Sequence, residues 1–149
     1  MKVRDWMIPG LRGLAPDSSI RDALTTLLRY GMNGLPVVDD ENRLLGLLSM
    51  SDIRKRTLPT QDELRDHPEY MQRPETMQDR FADVTKLKVA DLMIKDVARV
   101  SPDMMVIQAA ALMQSRHVKQ LPVVEGETVV GTITVNDIGW AFVIRYRQA

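Results

Sequence analysis

The sequence predicts a mixed α/β (α+β) chain in which one supersecondary unit, β-α-β-β-α, occurs twice. Three observations predict it. The strand-to-helix junction Gly46-Leu47-Leu48-Ser49-Met50-Ser51-Asp52-Ile53 returns as Gly131-Thr132-Ile133-Thr134-Val135-Asn136-Asp137-Ile138. The strand Leu35-Pro36-Val37-Val38 returns as Leu121-Pro122-Val123-Val124, an offset of 86. At that offset Val3, Asp5, Met7 and Ile8 face Val89, Asp91, Met93 and Ile94, Pro16-Asp17 faces Pro102-Asp103, and Ala23 faces Ala109. The junction glycines are offset by 85, so the second copy loses one residue in its turn. Self-similarity at a fixed period marks two copies of one unit. Each is about 50 residues, near the lower limit for folding alone, so the copies must pack on each other.

In the first copy, residues 3–9 read as a lead-in and Leu11 to Ala15 as a brief strand. Pro16-Asp17-Ser18-Ser19 opens a helix, with Asp17 or Ser18 as its N-cap. Ile20, Ala23, Leu24, Leu27 and Leu28 form one apolar helical stripe. Gly31 stops the helix in a left-handed conformation. Leu35 to Val38 is a strand whose Pro36 sits near its start. Asp39 to Arg43 turns the chain, Leu44 to Met50 returns, and a helix runs from Ser51 to Leu58 before Pro59.

The second copy repeats the order: a strand over Val97–Val100, a helix opened by Ser101-Pro102-Asp103 with the stripe Val106, Ala109, Ala110 and Met113, strands over Leu121–Val124 and Val129–Val135 around Glu125-Gly126-Glu127, and a helix from Asn136 to Arg147. His117 stands where the first copy has Gly31. A helix-end role at positive φ is its plain reading, and a ligand or metal contact the sharper one. Residues 1–58 and 89–149 thus hold the repeats, with 59–88 inserted between them. Thr60-Gln61-Asp62-Glu63 has capping-box spacing. Met77, Phe81 and Val84 predict a second amphipathic helix in the insert. It is either a linker packed on the surface or a partner or dimer element.

Composition narrows the function. Twenty basic and twenty acidic residues give zero net charge, unlike a dedicated nucleic-acid binder with its basic face. With no cysteine, thiol nucleophiles, disulfides and zinc–thiolate sites are excluded. Two histidines leave little for a metal cluster. No signal peptide or membrane-length apolar run stands out, so a cytoplasmic protein without membrane or nucleic-acid partners is expected. No nucleophile–base pair and no second acid beside either junction aspartate point to an enzyme.

Ser/Thr-x-x-Asp at a strand-to-helix junction caps the helix without any ligand. The same geometry suits a nucleotide. A helix amino terminus offers amides to phosphate, and an adjacent aspartate can accept from a ribose diol. Gly46 and Gly131, inside strands, permit close approach of another group.

On the Pro-Asp helix leads, the Leu-Pro-Val-Val strands and the doubled Gly-x-x-Ser/Thr-x-x-Asp-Ile, the chain resembles a tandem pair of CBS domains over residues 3–58 and 89–147. That resemblance implies regulatory modules related by a pseudo-two-fold axis, with two clefts for adenosine-containing ligands: AMP, ADP or ATP, or else S-adenosylmethionine or NAD, with no cofactor required. It implies one cleft with Ser49, Ser51 and Asp52, and the other with Thr134 and Asp137. The adenine would lie against the opposite copy's first strand, Val97 and Ala98 for the first cleft, Leu11 and Arg12 for the second. Residues before Leu-Pro often contact phosphate in the family; here these are Asn33 and Gly34, and Lys119 and Gln120, and the resemblance also implies Met32 and Val118 as nucleotide-binding residues. Ser51 and Asn136 stand where many nucleotide-binding members carry a base.

Two further expectations concern assembly. The last helix, with Ile138, Trp140, Ala141, Phe142, Val143 and Ile144, is apolar nearly all round and needs cover on more than one face. A homodimer is expected there, with an unidentified protein partner for a sensor. The competing reading is a ligand-free structural dimerisation or protein-interaction module.

Overall fold

The computed structural model describes residues 1–148. A 3-10 turn at Val3–Asp5 leads to β1 (Ile8–Pro9), α1 (Ile20–Tyr30), β2 (Gly34–Val38), β3 (Leu44–Ser49) and α2 (Met50–Thr57). The insert forms α3 (Gln61–Asp66), a 3-10 turn and α4 (Pro74–Thr85). The second copy follows as α5 (Val89–Leu92), α6 (Val106–Arg116), β4 (Gln120–Glu125), β5 (Thr128–Thr134) and α7 (Val135–Gln148). One antiparallel sheet is β2-β3; the other runs β1-β5-β4. Gly31 (φ 62°) and His117 (φ 54°) both end their helices in the left-handed region, the plain reading of the histidine.

The expected first strands, Leu11–Ala15 and Val97–Val100, shrink to single parallel bridges, Leu14 with Val37 and Val100 with Val123. Proline is the reason. Leu14 donates to the Pro36 carbonyl and accepts from the Val38 N–H; Val100 does the same with Pro122 and Val124. To extend such a parallel ladder, residues 16 and 36, or 102 and 122, would have to donate next. All four are prolines and have no N–H. The N-cap of α1 is Ser19, which accepts from the Asp22 N–H, one or two residues beyond the expected cap. Leu28 is 80% exposed: eight residues at about 3.6 per turn leave it well off the stripe led by Ile20.

The two lead-ins change places. Val3 is fully buried in the second copy's core, among Val106, Met113, Leu121 and Ile133. Val89, its counterpart, is buried in the first copy's core with Ile20, Leu35 and Leu48. The chain beyond each then pairs with the same partner: Ile8–Pro9 with Thr132 and Gly131 of β5, and Ile94 with Leu47 of β3. The glycines make this crossing fit. A methyl on Gly131 would stand 2.6 Å from the Ile8 carbonyl oxygen, and one on Gly46 2.7 Å from that of Ile94. The group whose close approach these glycines permit is therefore the other copy's backbone. Outside, Arg4 clasps Asp103 at 2.6 Å, which holds the Asp103 carboxyl below its ordinary value.

The insert is more than a surface linker. Thr60 and Glu63 cap α3 reciprocally, and α4 lies across α2 and α1. Its Val84 joins the first copy's core, whereas in the second copy Ala141 of α7 itself joins the core. Phe81, expected on the buried stripe, is 45% exposed. No helix among the described residues is long and apolar enough to cross a membrane.

Gly131→Ala and Gly46→Ala are each expected to destabilise the fold by about 1–3 kcal/mol, since the obstacle is backbone and cannot rotate away. Urea denaturation checks this: the midpoint falls with the slope unchanged.

Candidate functional site

Both junctions fold alike because both carry the same reciprocal cap. Ser49 donates its N–H (2.9 Å) and its hydroxyl (2.8 Å) to Asp52 Oδ2, while the Asp52 N–H donates to Ser49 Oγ at 3.4 Å. Thr134 and Asp137 repeat this at 2.8, 2.9 and 3.3 Å. All four residues are half-buried. Each hydroxyl already donates its one proton to the carboxylate, so it meets an incoming group as an acceptor. Each carboxylate keeps Oδ1 outside the cap. That set suits the hydroxyls of a ribose better than it suits phosphate.

The residues before each Leu-Pro are tied to these junctions. The Met50 N–H donates to Asn33 O at 2.7 Å, and the Val135 N–H to Lys119 O at 3.0 Å. Gly34 lies opposite Ser49, and Gln120 opposite Thr134. Gln120 is the equivalent of Gly34 at the repeat offset, and its side-chain Nε2 donates to the Gly34 carbonyl at 2.9 Å. Contact between equivalent positions puts the pseudo-dyad between them. Gln120, 8% exposed, therefore draws the two junctions side by side and occupies space that Gly34 leaves empty.

Ser49, Asp52, Asn33 and Gly34 thus come together, as do Thr134, Asp137, Lys119 and Gln120. Ser51 is half-buried on the first turn of α2. Met32 packs on the first core and Val118 on the second; Val118 and Lys119 also line a groove of about 400 Å³ between α6 and α7. The expected adenine walls lie farther along the strands from the junctions. Gly10 pairs with Val130, so Leu11 and Arg12 lie five to six residues up β5 from Thr134, roughly 17–20 Å at about 3.4 Å per residue. They line a groove of about 970 Å³ with Asp17, Asp39, Asn42 and Val129. There the Arg43 backbone N–H, with help from its guanidinium, holds Asp39 below its ordinary value. Ala98 packs on the second copy's own core, and Val97 follows Ile94, which is already level with Leu47. Met7 and Ile8, and Met93 and Ile94, are the residues that lie against Gly131 and Gly46. Sequence reasoning matched them as repeat partners without assigning them to the site. Among the described residues no group of three or more His, Cys, Asp or Glu could hold a metal.

The family model for the CBS domain matches residues 3–58 and 89–141. The chain belongs to the CBS-domain family. Its two repeats form a CBS pair like that of CBSX2 from Arabidopsis thaliana, 29% identical, with a TM-score of 0.78 over 99% of this chain and 98% of that one. CBSX2 has also been solved in complex with AMP, a structure 25% identical with a TM-score of 0.74, covering 97% of this chain and 98% of that one. Arabinose 5-phosphate isomerase KdsD of Yersinia pestis is 27% identical over 93% of this chain. Inosine-5'-monophosphate dehydrogenase of Methanocaldococcus jannaschii is 29% identical over 92% of it. The chain spans 36% and 23% of the lengths of these two relatives.

In this CBS pair Thr134→Val, which removes a cap, is expected to cost about 1 kcal/mol. Gln120→Leu, which strands a buried carbonyl, is expected to cost about 1–3 kcal/mol. Thermal unfolding of the ligand-free protein measures both.

Proposed function

We propose that this CBS pair is a regulatory sensor that binds an adenine nucleotide, AMP, ADP or ATP, in the clefts between its repeats and passes the bound state to a protein partner. The observation that carries the reading is the pair of matched hydroxyl–carboxylate helix junctions, drawn to one place by the Gln120–Gly34 bond. The AMP complex of CBSX2 supports the ligand class. One cleft is assigned Ser49, Ser51 and Asp52, with Met32, Val97 and Ala98; the other is assigned Thr134, Asp137, Lys119 and Gln120, with Val118, Leu11 and Arg12. A ligand reaching both Asp137 and Arg12 must lie along β5. The module catalyses no reaction itself, needs no cofactor, works in the cytoplasm and self-associates as a homodimer.

A second reading has its own observation. The junction side chains already satisfy each other, which is what a ligand-free structural module requires.

Titration calorimetry with AMP, ADP, ATP, S-adenosylmethionine and NAD separates the two. The sensor gives micromolar-range binding to an adenine nucleotide and a higher melting temperature; folded protein that yields no heat with any of the five leaves the structural module. Asp137→Ala should weaken binding by about 1.5–3 kcal/mol, or roughly 10- to 150-fold. Asp52→Ala is expected to weaken AMP binding more than Asp137→Ala, because a ligand long enough to reach the assigned walls meets small Ala98 from the first junction and bulky Arg12 from the second. Lys119→Ala is expected to affect ATP more than AMP, since extra phosphates give the ammonium more charge to meet. Equal losses from the two aspartates would overturn that ranking.

A further inference from the structure

The two junctions meet at the pseudo-dyad. Each offers acceptors suited to ribose hydroxyls, and the assigned adenine walls lie farther along the strands. A ribose seated at a junction, with its base up the strands, turns its 5′ end the other way, toward the residues before Leu-Pro. These are Asn33 and Gly34 on one side, Lys119 and Gln120 on the other. The Met50 and Val135 N–H groups bind the Asn33 and Lys119 carbonyls to the two helix starts. Gly34 and Gln120 are buried and joined across the pseudo-dyad by the Gln120 amide at 2.9 Å. The 5′ ends of two ligands, one per junction, would therefore stand about one glutamine side chain apart.

Little in that place can neutralise two phosphates. Of Asn33, Gly34, Lys119 and Gln120, one residue is charged, Lys119. The first turns of α2 and α7, residues 50–53 and 135–138, add no base and bring the carboxylates of Asp52 and Asp137. Together these residues carry one net negative charge before any ligand arrives. A nucleoside monophosphate adds close to two more at neutral pH. A first phosphate can draw on Lys119, whose side chain is exposed and free to swing; a second finds it engaged. Gln120 fills the space beside Gly34 with a neutral amide, where a cation could have served both clefts. Burial of Gly34 and Gln120 keeps water off the dyad, so repulsion between the two anions is poorly screened there.

We propose that the two clefts exclude each other for phosphate-bearing nucleotides: the chain holds one nucleotide at a time, and its other cleft accepts an uncharged nucleoside. This rests on the nucleotide binding proposed above and specifies its stoichiometry. The exclusion is reciprocal, since whatever a nucleotide in one cleft does to the affinity of the other, the other does in return.

Titration calorimetry of the full chain with AMP, and separately with adenosine, tests it. At low salt the second AMP should bind at least about tenfold more weakly than the first. At about 1 M sodium chloride, where screening acts within about 3 Å, the gap should shrink severalfold. Adenosine, which lacks the charge, should bind twice per chain with affinities that salt leaves unchanged. It should also bind once more to protein already saturated with AMP. Asn33→Lys gives the first cleft a cation of its own at an exposed position, and should bring the two AMP affinities within about threefold at low salt. Two AMP sites whose affinities differ by the same factor at low and high salt, or a gap that survives Asn33→Lys, would show unequal clefts without repulsion and overturn the exclusion. Adenosine limited to one per chain would overturn it too, since a size limit at Gln120 would then set the stoichiometry. Folded protein that binds neither AMP nor adenosine overturns the sensor reading and the exclusion together.

Discussion

The structure depends on a close backbone crossing made twice. Ile8 runs against Gly131 and Ile94 against Gly46, at distances that leave no room for a methyl group. Each crossing carries a lead-in from one repeat into the core of the other, where Val3 and Val89 are fully buried. Neither core is complete with its own repeat's residues. The two repeats are therefore held by exchange of chain as well as by contact between surfaces, and the cleft between them inherits that rigidity.

The junctions show how one local motif can close a helix and still leave acceptors free for a ligand. The hydroxyl and carboxylate close the first turn of α2 and of α7. The cap uses one carboxylate oxygen and the hydroxyl's proton, and it fixes the direction of what remains. A ligand would meet acceptors already oriented by the helix start, with no side-chain ordering left to oppose binding. This is why cap geometry alone cannot tell a binding junction from a structural one.

Duplication has left the copies unequal in ways that matter. Gln120 stands where the first copy has Gly34, and its side chain bridges the pseudo-dyad. Val84 from the insert completes a core that Arg56, at the position of Ala141, could not. Helix α2 is consequently polar and covered, and α7 apolar and exposed. The sequence already showed this difference as a contrast in composition; the packing of α4 gives it a cause.

By itself the sequence determined the local pieces. It set the helical stripes, the left-handed ends at Gly31 and His117, the hairpins, the caps at Ser49, Thr60 and Thr134, and the doubling of all but the insert, because periodicity and capping act over a few residues. Only the tertiary structure decided which copy each piece serves. Val3 and Val89 look like ordinary apolar residues of their own repeats, and nothing in a chain of 149 residues marks that they cross. The short strands failed for a reason written in the sequence, the missing N–H groups of Pro16, Pro36, Pro102 and Pro122, but legible only once the register was known. Leu11 and Arg12 lie far up β5 from Thr134 because Gly10 pairs with Val130. Pairing is a long-range choice made by burial and backbone fit, and the fit at Gly46 and Gly131 exists only after both copies have folded.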